Sequence, residues 1–121
     1  MLRNFSALPN CRVKYVVDAS PERRAFVQAN YPQCAAIESV EEVLRDSEVT
    51  AVVVATPAGT HFSLARECLL AGKHIFVEKP LATKVAEVDE LAACAAKRNL
   101  IVMAGHTFIS ASSLVSLRVN R

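Results

Sequence analysis

A short segment after residues 74–77 combines two side chains that can move protons. Glu78 and Lys79 directly follow the mainly apolar run at residues 74–77, and Pro80 comes next. A lysine at a partly desolvated strand end beside a carboxylate can act as an electrophile or donate a proton to a substrate hydroxyl or carbonyl. The alternative is a surface pair without a chemical role, which is the commoner occurrence of this dipeptide.

A second candidate is Asp18, which follows the β-branched and aromatic run at residues 13–17. A carboxylate at a strand end can accept hydrogen bonds from both vicinal hydroxyls of an adenosine ribose. An aspartate that only forms the turn before a helix is the alternative, and Asp18 taken alone favours that simpler interpretation.

The elements that must position these side chains follow from the apolar pattern. Residues 50–56 are almost entirely apolar and do not alternate, which is typical of a parallel strand covered on both faces. Further strands are predicted at residues 13–17, 74–77 and 100–104, with a short apolar piece at 34–37. Helices are predicted at about 21–30, 40–45, 60–71 and 83–99.

The predicted helix ends rest on four local signals. Ser20 before Pro21 is typical of an N-cap, and Ser39-x-x-Glu42 has the form of a capping box. Thr60 can cap the third helix, and Gly72 stands where a left-handed residue would end it.

Strands separated by helices in this way predict an α/β fold with a doubly wound parallel sheet. Ligands of such sheets bind at the carboxyl ends of the strands. Asp18, residues 56–61, residues 78–80 and the pair Gly105–His106 therefore belong to one predicted edge.

Composition argues against several other classes of protein. The chain has 121 residues, of which 52% are hydrophobic, and its 14 basic and 12 acidic side chains are interspersed. Without tryptophan or a basic cluster, a nucleic-acid partner is not expected, and no apolar run approaches the ~20 residues of a membrane span. The four cysteines lack metal-ligand spacing, so we expect reduced thiols in a cytoplasmic protein and no metal site.

Four segments together resemble the Gfo/Idh/MocA family of oxidoreductases. Residues 71–82 resemble its Glu-Lys-Pro motif, and residues 55–61 resemble its Thr-Pro loop. The strand that ends at Asp18 and the segment 104–108 extend the resemblance over residues 1–108. It implies a Rossmann-like NAD(P)-binding domain over 1–108, followed by a divergent tail at 109–121. The tail is expected to have no partner segment for its apolar residues Leu114, Val115, Leu117 and Val119.

The resemblance also implies roles for individual residues. Lys79 matches the active-site lysine that hydrogen-bonds the reacting hydroxyl, and Asp18 would hold the adenosine ribose and favour NAD over NADP. Ser20 and either Arg23 or Arg24 would contact the same ribose or tolerate a phosphate on it. The other implied cofactor contacts are Thr56, Pro57 and His61 between pyrophosphate and nicotinamide ribose, and Glu78 with Lys79 at the nicotinamide end. His61 could equally be a first-turn helix residue that faces water.

The sequence departs from the family pattern at one central feature. Its three glycines, Gly59, Gly72 and Gly105, form no Gly-x-Gly-x-x-Gly turn, and no strand precedes residues 13–17. The missing first strand would lie between residues 13–17 and 50–56. We therefore expect a marginally stable or self-associating chain, or a gap closed by unusual pairing.

These observations predict the nucleotide-binding domain of a sugar or sugar-derivative oxidoreductase, with a nicotinamide dinucleotide as ligand and no activity as a fragment. One alternative is a non-catalytic binding or regulatory module that pairs with a full-length subunit through its sheet edges and apolar tail. A compact single domain without cofactor is a further alternative.

Overall fold

The computed structural model describes the backbone of residues 11–105 and 113–119 and the side chains of residues 12–105. Strands and helices alternate through the first of these ranges, as the sequence predicts. The strands are β1 (Cys11–Val17), β2 (Ala35–Ile37), β3 (Ala51–Ala55), β4 (His74–Glu78), β5 (Val102–Gly105) and β6 (Ser113–Val119). The helices are α1 (Pro21–Asn30), α2 (Glu41–Arg45), α3 (His61–Leu70), which follows a 3₁₀ turn at Ala58–Thr60, and α4 (Val85–Lys97).

All six strands form one sheet in the order β2-β1-β6-β3-β4-β5. The β1–β2, β3–β4 and β4–β5 pairs are parallel, which confirms the predicted α/β architecture. In this part of the chain, the carboxyl ends of β1, β3, β4 and β5 reach the same edge of the sheet. We call this the carboxyl edge.

Strand β6 is the one antiparallel member of the described sheet, and it lies where the sequence predicts a gap. Val115 pairs with Val16 of β1 on one side and with Val53 of β3 on the other. The gap is thus closed by an unusual pairing, one of the outcomes expected from the missing first strand. The tail at 109–121 is expected to have no partner segment, and for residues 113–119 that expectation is wrong.

Both faces of the sheet carry helices. Buried residues of β3 and β4 pack with Val43 of α2, with α3 and with Leu91 of α4 in one cluster. On the opposite face, Val13 and Val16 of β1 pack with Val27 of α1. Within residues 11–105 and 113–119, no helix is both long and apolar enough to cross a membrane.

The N-terminal caps of the helices agree with the sequence in one case of three. The Ser20 hydroxyl accepts a hydrogen bond from the Arg23 N–H at 3.3 Å, so the predicted cap of α1 is confirmed. Helix α2 begins only at Glu41, and the Ser39 hydroxyl accepts from the Glu41 N–H at 3.4 Å rather than from that of Glu42, so the predicted capping box does not form. The Thr60 hydroxyl donates instead to the Pro57 carbonyl at 2.6 Å, because a 3₁₀ turn precedes α3.

The C-terminal ends of α3 and α4 have the same geometry. Gly72 has φ +82°, and the Lys73 N–H returns to the Cys68 carbonyl at 2.9 Å. Asn99 has φ 55°, and the Leu100 N–H returns to the Ala95 carbonyl, also at 2.9 Å. Both ends are Schellman motifs, which satisfy the last helical carbonyls and turn the chain towards the next strand.

A charged cluster lies at the opposite edge of the sheet, where β3 and β4 begin. The Asp46 carboxylate accepts a hydrogen bond from the Tyr15 hydroxyl at 2.8 Å and lies 2.5 Å from the Lys14 ammonium. The hydrogen bond from Lys14 is the main cause that lowers the pKa of Asp46 to about 2. The buried Lys73 ammonium donates to the Asp46 backbone carbonyl, and desolvation lowers its pKa.

Candidate functional site

The carboxyl edge opens into a groove with a volume of about 770 Å³. Its walls come from the end of β1, the segment after β2, and the loop that joins β3 to α3. The lining residues are Val17, Asp18, Ala19, Ser20, Arg23, Glu38, Val40, Thr56, Pro57, Gly59, Thr60, Ser63 and Leu64. Five of the sequence-predicted site residues therefore line one groove: Asp18, Ser20, Arg23, Thr56 and Pro57.

Asp18 is the most firmly held of these side chains. It is only 5% exposed, and its Oδ1 accepts a hydrogen bond from the Ser20 N–H at 2.9 Å. Its N–H donates to the Ile37 carbonyl at 3.0 Å, which ties the end of β1 to the end of β2. The carboxylate is therefore fixed at the groove wall by the turn that also starts α1.

Two arginines of α1 converge on Asp18 from different sides. Arg24 donates from Nη1 to the Asp18 backbone carbonyl at 2.8 Å, and this bond braces the turn. Arg23 places its Nη1 at 3.6 Å from Asp18 Oδ2, and its side chain remains half exposed. The groove thus presents a carboxylate and an adjacent cation, a pair suited to a ligand that carries hydroxyl or phosphate groups.

The loop from Thr56 to Thr60 forms the facing wall. The Thr60 hydroxyl donates to the Pro57 carbonyl, and the Thr56 and Thr60 hydroxyl oxygens lie 2.7 Å apart. Since the Thr60 proton is used by Pro57, Thr56 is the donor in the second contact. These bonds close the loop into a turn directly before α3.

His61 lies beneath this loop rather than in the groove lining. The residue is only 2% exposed, so it does not face water as one sequence interpretation allows. Its Nε2 lies 2.6 Å from the Thr56 carbonyl oxygen, and its Nδ1 lies 2.7 Å from the Pro80 carbonyl oxygen.

Glu78 and Lys79 lie at the end of β4, outside the set of residues that line the groove. The Lys79 N–H donates to the Gly105 carbonyl at 2.8 Å, which continues the β4–β5 ladder by one residue. The Lys79 side chain is exposed and that of Glu78 is half-buried, and the Lys79–Pro80 peptide is cis. The sheet therefore carries Asp18 and Lys79 on the same edge, separated by the ends of β6 and β3.

Sequence reasoning missed several residues of the groove, above all Glu38 and Val40. A signal for them existed, because Ile37 pairs with Val17 in parallel register and the residue after it must reach the same edge as Asp18. Ser63 and Leu64 were missed because their place depends on how α3 begins. His74, at the start of β4, accepts a hydrogen bond from the Ile101 N–H at 3.0 Å, whereas His106 lies outside the described residues.

Comparison with known proteins shows which family the chain belongs to. Residues 1–106 match the oxidoreductase family described as an NAD-binding Rossmann fold. The chain belongs to the Gfo/Idh/MocA family. A UDP-N-acetylglucosamine 3-dehydrogenase of Acidithiobacillus ferrooxidans is 40% identical over 91 residues, which are 75% of this chain and 28% of that protein. A dTDP-3,4-didehydro-2,6-dideoxy-alpha-D-glucose 3-reductase of Streptomyces violaceoruber is 31% identical over 118 residues, or 98% of this chain and 34% of that enzyme.

Solved structures of the family agree with the same assignment. A 3-ketoreductase from Actinomadura kijaniata, crystallised with NADP and TDP-benzene, superposes with a TM-score of 0.78 at 29% identity. The match covers 85% of this chain and 31% of that enzyme. The chain therefore spans about a third of the length of these relatives, in the part that forms their NAD-binding Rossmann fold.

Proposed function

We propose that this chain is the nucleotide-binding part of an NAD(P)-dependent oxidoreductase whose intact form acts on a sugar or sugar derivative. The observation that carries the proposal is Asp18, a buried carboxylate held by the Ser20 N–H at the wall of a groove on the carboxyl edge. In open α/β sheets this is where nucleotides bind, and an acidic side chain at this place accepts from the ribose hydroxyls.

The groove fits one half of a dinucleotide better than the other. Its volume lies in the range of about 300–1,000 Å³ that small-molecule sites occupy, and Asp18, Ser20 and Arg23 are grouped at one end. This end suits an adenosine ribose. For the pyrophosphate, the sequence offers no Gly-x-Gly-x-x-Gly turn, and the sheet position between β1 and β3 holds β6.

A preference for NAD over NADP is part of the proposal. The Asp18 carboxylate can accept from two ribose hydroxyls, whereas it repels a phosphate on the same ribose. Arg23 at 3.6 Å moderates that repulsion, so we expect a preference rather than an exclusion.

Lys79 and Glu78 would act at the other end of the cofactor. A bound nicotinamide would supply the carbon that exchanges a hydride with the substrate. The exposed Lys79 ammonium would donate a hydrogen bond to the reacting hydroxyl or carbonyl oxygen, and Glu78 would accept from the nicotinamide ribose. A sugar-type substrate is supported by the names of two relatives, both of which describe nucleotide sugars.

Calorimetry with NAD and NADP tests the proposal. We expect Asp18→Asn to weaken NAD binding about tenfold, because a charge-assisted bond to the ribose is lost. NADP binding should change less, since the variant also removes the repulsion between the Asp18 carboxylate and the phosphate on the NADP ribose. Asp89→Asn on the exposed face of α4 makes the same change of charge away from the groove and should leave both affinities unaltered. Equal NAD affinities of Asp18→Asn and the unaltered chain would refute the assignment.

The absolute affinity of the 121-residue chain should be low. Two or three missing pyrophosphate contacts at about 1.5 kcal/mol each predict NAD binding at least about a hundredfold weaker than with a complete phosphate loop. A micromolar dissociation constant for NAD would contradict this part of the proposal.

Two further properties are proposed on the same basis. Burial raises the pKa of the Cys34 thiol and raises that of Cys68 to about 12, which suits unreactive thiols of a cytoplasmic protein. Self-association is expected through the side of β5 that pairs with none of the described strands, where Ile101 and Met103 are exposed. The alternative of a regulatory module loses part of its motivation, because residues 113–119 of the apolar tail are paired within the sheet.

A further inference from the structure

We propose that His61 is a positioning residue that holds the Thr56 loop and the turn after Lys79 in a fixed relation to each other. The inference rests on the proposed function only in so far as these two loops meet a dinucleotide. It assigns His61 a place behind the site, in contrast to the cofactor contact that the family resemblance implies.

The contacts of the imidazole ring carry this inference. The ring is enclosed, and each of its two nitrogens lies within 2.7 Å of a backbone carbonyl oxygen, those of Thr56 and Pro80. Carbonyl oxygens only accept, so a proton on either ring nitrogen is directed to the backbone of one of the two loops. A ring used in this way has no nitrogen left for a cofactor.

His61 also connects the two loops to the packed core. It is the first residue of α3, and the same helix buries Ala65, Cys68 and Leu69 against the sheet. The ring therefore projects from a rigid element between two loops that follow neighbouring strands, β3 and β4. Loops fixed from a packed helix lose less entropy when a ligand binds.

Lys79 is the residue whose position depends most on this arrangement. Its own N–H is bound to the Gly105 carbonyl at 2.8 Å, and the carbonyl of the next residue, Pro80, meets His61 at 2.7 Å. Two anchors thus flank Lys79 along the backbone. They fix the point from which its exposed side chain leaves the carboxyl edge.

Nuclear magnetic resonance of the unaltered chain gives the first test. We expect nuclear Overhauser contacts from the His61 ring protons to protons of both Pro80 and the Thr56–Pro57 segment, because each ring nitrogen lies within 2.7 Å of a carbonyl oxygen of one of these loops. Contacts to one loop only, or to neither, would overturn the bridge, and this measurement needs neither a variant nor a bound cofactor.

The second test compares His61→Phe with His74→Phe. Both variants keep a flat ring and lose ring–backbone hydrogen bonds, but His74 contacts the Ile101 N–H at the opposite edge of the sheet. In His61→Phe, amide exchange of Lys79 and Thr60 should accelerate about tenfold more than that of Val53 in the core. In His74→Phe, only the Ile101 amide should respond in this way.

Calorimetry on the same two variants links the bridge to ligand binding. NAD affinity should fall about tenfold in His61→Phe and stay unchanged in His74→Phe. If the unaltered chain binds no dinucleotide, the proposed function fails, while the exchange data still decide the role of His61. Unchanged exchange at Lys79 and Thr60 in a folded His61→Phe would overturn the inference.

Discussion

Two residues of the site show what local sequence can and cannot establish. The helix-capping role of Ser20 was predictable, because its hydroxyl and its N–H contact Arg23 and Asp18, both within three positions along the chain. The burial of His61 was not predictable, because one of its carbonyl partners lies nineteen positions away on another strand end. Contacts of the second kind exist only after the sheet has brought the two loops together.

Asp46 yields a prediction about the dependence of stability on pH. Its folded-state pKa of about 2 lies below its ordinary value of 3.8, mainly because Lys14 donates to it. A carboxyl whose pKa falls on folding stabilises the protein above the unfolded value. That stabilisation should therefore be lost as the pH falls from about 4 towards 2.

The variant Asp46→Asn should lower the Tm by a few degrees at pH 7 and remove part of the acid sensitivity between pH 4 and 2. Thermal unfolding followed by circular dichroism across this range measures both effects. Glu41→Asn removes an exposed carboxylate in the first turn of α2 and serves as the control. An Asp46→Asn chain that loses stability between pH 4 and 2 as steeply as the unaltered chain would disprove the assignment.

Among the elements, the two Schellman ends show how one backbone geometry can arise from different residues. Gly72 adopts φ +82° without a side chain, and Asn99 reaches φ 55° as one of the residues that tolerate the left-handed region. The first end was predicted from its glycine. The second was predicted only as a stopping point near Asn99, since asparagine is a weaker signal.

Substitution by alanine should separate backbone strain from packing. An added Cβ at Gly72 would meet no atom within 4 Å, so packing does not oppose alanine there. Gly72→Ala should still destabilise the chain by about 1–2 kcal/mol, because the left-handed backbone conformation disfavours a residue with a Cβ. Gly59→Ala makes the same change in equally open space without a positive φ, so it should be neutral or slightly stabilising. Urea unfolding measures both free energies, and equal effects would contradict the strain argument.

The strand pattern was predicted within one or two residues for β1, β3, β4 and β5, because their apolar runs are local features. Strand β6 was not predicted, although Leu114, Val115 and Leu117 were recognised as apolar. Its position depends on the space between β1 and β3, which the tail sequence does not encode. The helix caps predicted at Ser39 and Thr60 did not form as predicted. Here too the outcome depends on neighbouring structure, because the adjacent turns shift the starts of α2 and α3.

At the scale of the whole molecule, β6 joins two smaller sheets. Strands β1 and β2 form one of them and β3, β4 and β5 form the other, and each pairs with β6. A proline in the middle of β6 should therefore disrupt the sheet at its centre.

We expect Val115→Pro to lower stability by about 2 kcal/mol or more, which is about 10 °C in Tm for a domain of this size. Val119→Pro is the matched control, because Val119 pairs only with Cys11 in the described register. Differential scanning calorimetry compares the two variants. If Val115→Pro unfolds at the same temperature as Val119→Pro, the central place of β6 is wrong.

The central place of β6 also has a consequence for the time course of folding. Ribosomes release β1 first and β6 last among the described strands, with about 60 residues between the end of β3 and the start of β6. At roughly 5–20 residues per second, the edges of β1 and β3 wait several seconds before the strand that joins them is synthesised. During this interval their facing edges are open to chaperones and to other nascent chains, so the yield of folded protein should depend on the speed of translation after β3.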